Sequence, residues 1–160
     1  MISYKIFILF LMLLMHYIED FHLQGCLANL KQKKWWIDEL CKNFDCNDKC
    51  EEVREPYLTT TIYKNDYKMS LFAHSIENAL FVMLPLIIDL LISELTTDYL
   101  QNAWIFFVPA IALICVSHYI IDNLKANEMK INLVQDQILH IIFILIVFLF
   151  AFCGIGVWIV

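Results

Sequence analysis

Four long apolar runs divide the chain, separated by stretches in which Lys, Asp, Glu and Asn gather. None of the runs alternates apolar and polar residues with period two, so they read as helices rather than as strands of a membrane barrel. An α-helix needs roughly 20 residues to cross the hydrocarbon core of a bilayer. That length predicts spans over residues 3–23, 69–95, 103–121 and 138–160, with Pro85 inside the second, where a kink is expected, and Pro109 inside the third. The expected fold is all-α: a single polytopic membrane domain built as a four-helix bundle.

Between the first two spans, residues 27–68 form a polar loop whose early part keeps helical spacing at Ile37, Leu40, Cys41 and Phe44. Lys31, Lys33 and Lys34 stand beside Trp35 and Trp36, a combination suited to an amphipathic helix lying among lipid headgroups. Residues 6–15 also resemble the apolar core of a signal peptide, but no A-x-A site follows and Glu19 and Asp20 interrupt the stretch, which favours a span.

Composition strengthens the membrane reading. The 160 residues are 61% hydrophobic, with three Gly and three Pro, well above the ~45–50% apolar content of a soluble domain. The net charge of −6 comes from interspersed acids and bases, so no nucleic-acid surface is expected and the bilayer is the expected partner. Ten of the eleven basic residues fall in the 27–68 loop or in the 123–135 loop, leaving Lys5 opposite. By the positive-inside rule both loops are expected on the cytoplasmic side.

The polar residues at membrane depth then collect at one end. His16 and Asp20 close the first span, His74 opens the second, His118 and Asp122 close the third, and Asp136, Gln137 and His140 open the fourth. The words His16-Tyr17-Ile18-Glu19-Asp20 return as His118-Tyr119-Ile120-Ile121-Asp122, which suggests two pseudo-repeated helical hairpins. A His and an Asp four apart share one helix face. A single His at a helix end is ordinarily an interfacial or capping residue, but four at the same end argue for a joint site or a polar network locking the helix ends.

Imidazole with carboxylate suits Zn²⁺, Mn²⁺ or Fe²⁺, so the expected ligands are His16, Asp20, His74, His118, Asp122, Asp136 and His140, with zinc or another divalent metal as cofactor. Seven such groups are enough for two ions and a bridging water. Asp20, Asp122, Asp136 and Lys125 are the catalytic candidates, Lys125 because its ammonium can hold a phosphate or neutralise an aspartate. Without metal the same groups make a proton relay. Cys41, Cys46 and Cys50, with Cys26, are a weaker zinc candidate, and Cys115 and Cys153 read as packing residues. P-loop, GxGxxG and GxSxG motifs are absent from the sequence.

The ordered pattern His16-x3-Asp20-Phe21-x-Leu23-Gln24, His74, His118-x3-Asp122-x2-Lys125, Asp136-Gln137-x2-His140 resembles a family of small bacterial and bacteriophage membrane proteins classed as a domain of unknown function. The resemblance implies a multi-pass protein of the bacterial cytoplasmic membrane and brings no reaction with it. The His-x3-Asp element is also similar to one in the helical zinc phospholipase C and S1/P1-type nuclease families, whose other ligand motifs are absent here. The leading expectation is a metal-dependent hydrolase of a lipid-like or phosphorylated substrate. A transport or proton-relay protein, or a membrane interaction protein with a structural polar network, are the alternatives.

The charge asymmetry predicts that Cys46 is shielded from a membrane-impermeant thiol reagent in intact cells and labelled once the membrane is opened. Labelling from outside would invert the topology and make disulfides among Cys41, Cys46 and Cys50 the better reading.

Overall fold

The computed structural model describes residues 2–43, 65–94 and 100–154. All regular structure among them is helical: α1 (Ile2–Ile18), a π-helical turn (Glu19–Leu23), α2 (Leu27–Leu30), α3 (Lys33–Asn43), α4 (Asp66–Glu94), α5 (Leu100–Ala126) and α6 (Leu133–Gly154). Four segments, Ser3–Leu23, Asp66–Ile92, Ile105–Ala126 and Leu133–Ala151, are long and apolar enough to cross a membrane. Cys46, Cys50 and most of the loop between α3 and α4 lie outside the described residues, and with them two members of the cysteine zinc candidate; Cys26 is exposed and Cys41 lies in α3.

The long helices form a closed ring, since α1 packs on α4, α4 on α5, α5 on α6 and α6 on α1. The ring surrounds an apolar core that includes Ile8, Met12, Val82, Met83, Ile114 and Ile144. Ala79, Ala110 and Ala151 are buried in the same core. Small residues let helix backbones approach closely, which matters in lipid because the tails are as apolar as the side chains and do not drive helices together. Large side chains on the outer surface, among them Phe7, Phe10, Leu80, Ile88 and Val116, are exposed, as a lipid-facing surface requires.

Neither internal proline ends its helix. Pro85 and Pro109 sit within unbroken α4 and α5, where neighbouring helices can compensate for the missing donor. Helix α5 runs past the expected end at residue 121 through Asp122 and Lys125 to Ala126, and α6 starts at Leu133 rather than 138. The early start of α6 has a local cause. Asn132 Oδ1 accepts the Gln135 N–H at 2.9 Å, and Gln135 Oε1 accepts the Asn132 N–H at 3.0 Å, a reciprocal capping box.

The end of α1 departs from the α-helix. The Gln24 N–H reaches the Glu19 carbonyl at 3.1 Å, an i to i+5 bond that defines a π turn. Gly25 then adopts φ +48, a left-handed conformation cheap only for glycine, and the chain folds back into α2. The expected amphipathic helix is therefore two helices, α2 and α3, joined at Lys31 and Gln32.

The core predicts a contrast between neighbouring residues on α4. Ala79→Leu overfills the helix interface and should destabilise the bundle by about 1–3 kcal/mol, whereas Leu80→Ala on the outer surface should change little. Thermal unfolding in detergent by circular dichroism checks both.

Candidate functional site

Where α1, α4, α5 and α6 meet beside the π turn and α2, eight ionisable side chains are buried together: His16, Glu19, Asp20, His74, His118, Asp122, Asp136 and His140, each 0–4% exposed. Adjacent Glu19 and Asp20, both buried, lie in the π turn. Its wider winding turns each residue by less than the ~100° of an α-helix, so neighbouring side chains diverge less. Ionised groups buried in low dielectric are costly unless paired or bound to a cation.

His74 stands at the centre. Its Nδ1 lies 3.0 Å from Glu19 Oε1, and its Nε2 lies 3.1 Å from His118 Nε2, 3.4 Å from Asp122 Oδ2 and 3.5 Å from Asp20 Oδ1. His140 Nε2 faces two carboxylates, Asp122 Oδ1 at 3.3 Å and Asp136 Oδ1 at 3.5 Å. The His118 and His140 rings stack with centroids 4.2 Å apart, and the His16 ring lies 5.0 Å from that of His140.

Amide side chains hold the periphery. Asn78 Nδ2 donates to Glu19 Oε2 at 2.5 Å and lies 3.1 Å from His16 Nδ1, so His16 accepts there and carries its proton on Nε2. Gln137 Nε2 donates to Asp20 Oδ2 at 2.8 Å and lies 3.1 Å from Asp136 Oδ2. Four buried atoms of the cluster, His16 Nε2, Glu19 Oε1, His74 Nδ1 and Asp136 Oδ1, find no hydrogen-bond partner. Glu19 Oε1 and His74 Nδ1 lack hydrogen-bond alignment but are at ion-pair distance from each other, and Asp136 Oδ1 lies 3.5 Å from His140 Nε2. That leaves His16 Nε2 as the atom of the four with no polar contact among the described residues.

The cationic partners are unequally shared. Lys31 Nζ contacts Asp122 Oδ2 at 2.6 Å, and Lys125 Nζ contacts Asp136 Oδ2 at 2.6 Å. Among the described residues no Lys or Arg forms an ion pair with Glu19 or Asp20. Lys125 thus reaches across to α6 instead of returning to Asp122 on its own helix. With the imidazoles neutral, four carboxylates face two ammonium groups, leaving two negative charges in excess.

Two overlapping sets of donor atoms are close enough to hold a cation: Glu19, Asp20, His74 and His118, and then His118, Asp122 and His140, with atoms of each set within 4.8 Å of one another. Tetrahedral zinc ligated at ~2.0–2.1 Å separates its donor atoms by roughly 3.4 Å, so modest side-chain movement closes either set. His16 and Asp136 belong to neither set and lie beside them.

A family model of proteins of unknown function (DUF3307) matches residues 59–157. The chain belongs to this family. The matched segment contains α4, α5 and α6, and with them His74, Asn78, His118, Asp122, Lys125, Asp136 and His140. His16, Glu19, Asp20 and Lys31 lie before the DUF3307 match. No curated protein and no solved structure matches the chain.

Sequence reasoning passed over Glu19, Lys31 and Asn78. Asn78 lies four residues after His74 and thus on its helix face, a signal available in the sequence. Glu19 and Lys31 were passed over where the chain leaves the regular α-helix, the one in the π turn and the other beyond the chain reversal at Gly25.

Asn78→Leu removes the donor to both Glu19 and His16 while keeping bulk. Each buried acceptor left unpaired costs about 1–3 kcal/mol, so a drop in thermal stability of the detergent-solubilised protein is expected. Asn78→Gln should recover part of it.

Proposed function

We propose that this protein binds a divalent transition metal at the cytoplasmic boundary of a membrane, through Glu19, Asp20, His74 and His118. The carrying observation is the position of the unbalanced charge. Asp122 and Asp136 each have a lysine at 2.6 Å, whereas Glu19 and Asp20 flank His74 without one among the described residues: Asp20 Oδ1 lies 3.5 Å from its Nε2, which is 3.1 Å from His118 Nε2, and Glu19 Oε1 lies 3.0 Å from its Nδ1. One divalent cation there neutralises the two carboxylates and leaves the lysine pairs intact. Two nitrogen and two oxygen donors suit zinc, and also manganese or ferrous iron. Asn78 and Gln137, bonded to the outer oxygens of Glu19 and Asp20, are the supports that orient such ligands.

The positive-inside rule supports the cytoplasmic side, and the resemblance described above supports the bacterial inner membrane. We read the two His-Tyr-Ile-x-Asp elements as halves of a hairpin pseudo-repeat, one ending in the π turn and the other continuing as α-helix. Hydrolysis of a lipid-like or phosphorylated substrate is the reaction we assign to this metal centre, because such an ion can activate water at neutral pH. Within this reading Asp136 and the half-buried Lys125 are the way in from the aqueous side, since Lys125 has the more exposed side chain of the pair.

The expected result is about one tightly bound zinc, manganese or iron per chain after purification in detergent, measured by elemental mass spectrometry. Asp20→Asn and His118→Ala should lower metal affinity on the order of 10- to 100-fold or more, by analogy with the loss of even outer supports, without unfolding the bundle. A parent protein that binds no divalent metal would overturn the reading and leave a proton relay or a structural network, in which two protonated imidazoles supply the missing positive charge.

A further inference from the structure

Lys31 lies in the turn between α2 and α3, and its ammonium is buried against Asp122. Two hydrogen bonds pin that turn to the loop after α5. Asn127 Oδ1 accepts the Lys33 N–H at 2.7 Å, and Asn127 Nδ2 donates to the Lys31 carbonyl at 3.1 Å. Asn127 itself is braced by Asn123 Oδ1, 3.1 Å from its Nδ2. Trp36 Nε1 donates to the Leu30 carbonyl at 2.7 Å, tying the start of α3 back to α2. The lysine is therefore built in from both sides.

Its position bears on the second donor set. Asp122 is the only carboxylate among His118, Asp122 and His140, and Lys31 covers its Oδ2. The rest of that set is ready for a cation. Asp122 Oδ1 faces His140 Nε2 at 3.3 Å, and the orphaned Asp136 Oδ1 stands 3.5 Å from the same nitrogen. A divalent ion placed there meets an ammonium group at close range in a medium that screens charge poorly. We infer that Lys31 is a specificity-determining residue that takes the place of a second metal ion, restricting the cluster to one cation, and that Asn127 is the residue that positions it. The inference rests on the metal-binding reading above and concerns how many ions the site accepts.

Removing the ammonium should open the second set. The full-length chain, purified in detergent, is stripped with chelator and titrated with Mn²⁺, with bound metal counted per chain and the spin state followed by electron paramagnetic resonance. The parent and Lys31→Arg should bind one Mn²⁺ with the spectrum of an isolated ion. Lys31→Met should bind two, with an exchange-coupled spectrum, because the Asp122 carboxylate, whose Oδ2 lies 3.4 Å from His74 Nε2 and whose Oδ1 lies 3.3 Å from His140 Nε2, would bridge the ions. Asn127→Ala keeps the lysine but frees its turn, and it should admit a second Mn²⁺ more weakly than Lys31→Met. Should Lys31→Met fail to fold, Asn127→Ala carries the test alone. One ion in these two variants, or two ions in the parent, overturns the inference while leaving a metal-binding protein. No ion in the parent overturns the metal-binding reading itself, and the inference with it.

Discussion

Four carboxylates brought together at one end of an apolar bundle set the terms for everything around them. Coulomb repulsion among Glu19, Asp20, Asp122 and Asp136 is poorly screened there, and desolvation adds several kcal/mol for each buried ion left uncompensated. The local architecture follows from that constraint. Helix α5 stays wound far enough to present Lys125 to Asp136, and the chain between α1 and α3 doubles back to deliver Lys31 to Asp122. Asn78 and Gln137 take the oxygens that no lysine reaches. Lysines thus neutralise Asp122 and Asp136, whereas among the described residues Glu19 and Asp20 have only the His74 imidazole at ion-pair distance, the asymmetry on which the metal reading depends.

The histidines could be placed from sequence because membrane topology has a parity. Successive spans run in opposite directions, so residues closing the first and third spans and opening the second and fourth share one end whatever the details of packing. His16, His74, His118 and His140 needed no more than that. The four-helix character was equally legible, since apolar length alone carries it. Helix ends were less so. Lys125 fell in the stretch that reads as a loop by polarity, yet its pairing with Asp136 accompanies a helix that continues to Ala126, and the capping box at Asn132 and Gln135 moves the start of α6 earlier than hydropathy suggests.

Glu19 and Lys31 show where pattern reading stops. Glu19 beside Asp20 read as a break in an apolar stretch, yet both lie buried in the π turn closed by the i to i+5 bond from Gln24 to Glu19. Lys31 read as one of three basic residues on a headgroup-facing surface. Its neighbours Lys33 and Lys34 remain partly or fully exposed while Lys31 is buried, a difference created by Gly25 and by Asn127 more than ninety residues along the chain. No periodicity can encode a contact of that separation.

The polar end also bears on why the helices adopt a single register. In lipid, apolar side chains gain little by leaving one apolar neighbour for another, so the core around Met12 and Met83 supplies packing more than discrimination between registers. Sliding α4 by one turn would move His74 roughly 5.4 Å, enough to break its approach to Glu19, Asp20, His118 and Asp122 at once. Every such slip strands buried charge, whereas slipping the apolar half of the bundle exchanges one methyl contact for another. A metal centre and a register lock are therefore compatible roles for the same residues, and substitutions separate them by kind. Replacing a carboxylate by its amide keeps shape and hydrogen bonding but removes the charge a cation needs, while truncation to Ala removes both. A site whose main task is ion binding responds to the first change as strongly as to the second; a site whose main task is alignment responds chiefly to the second.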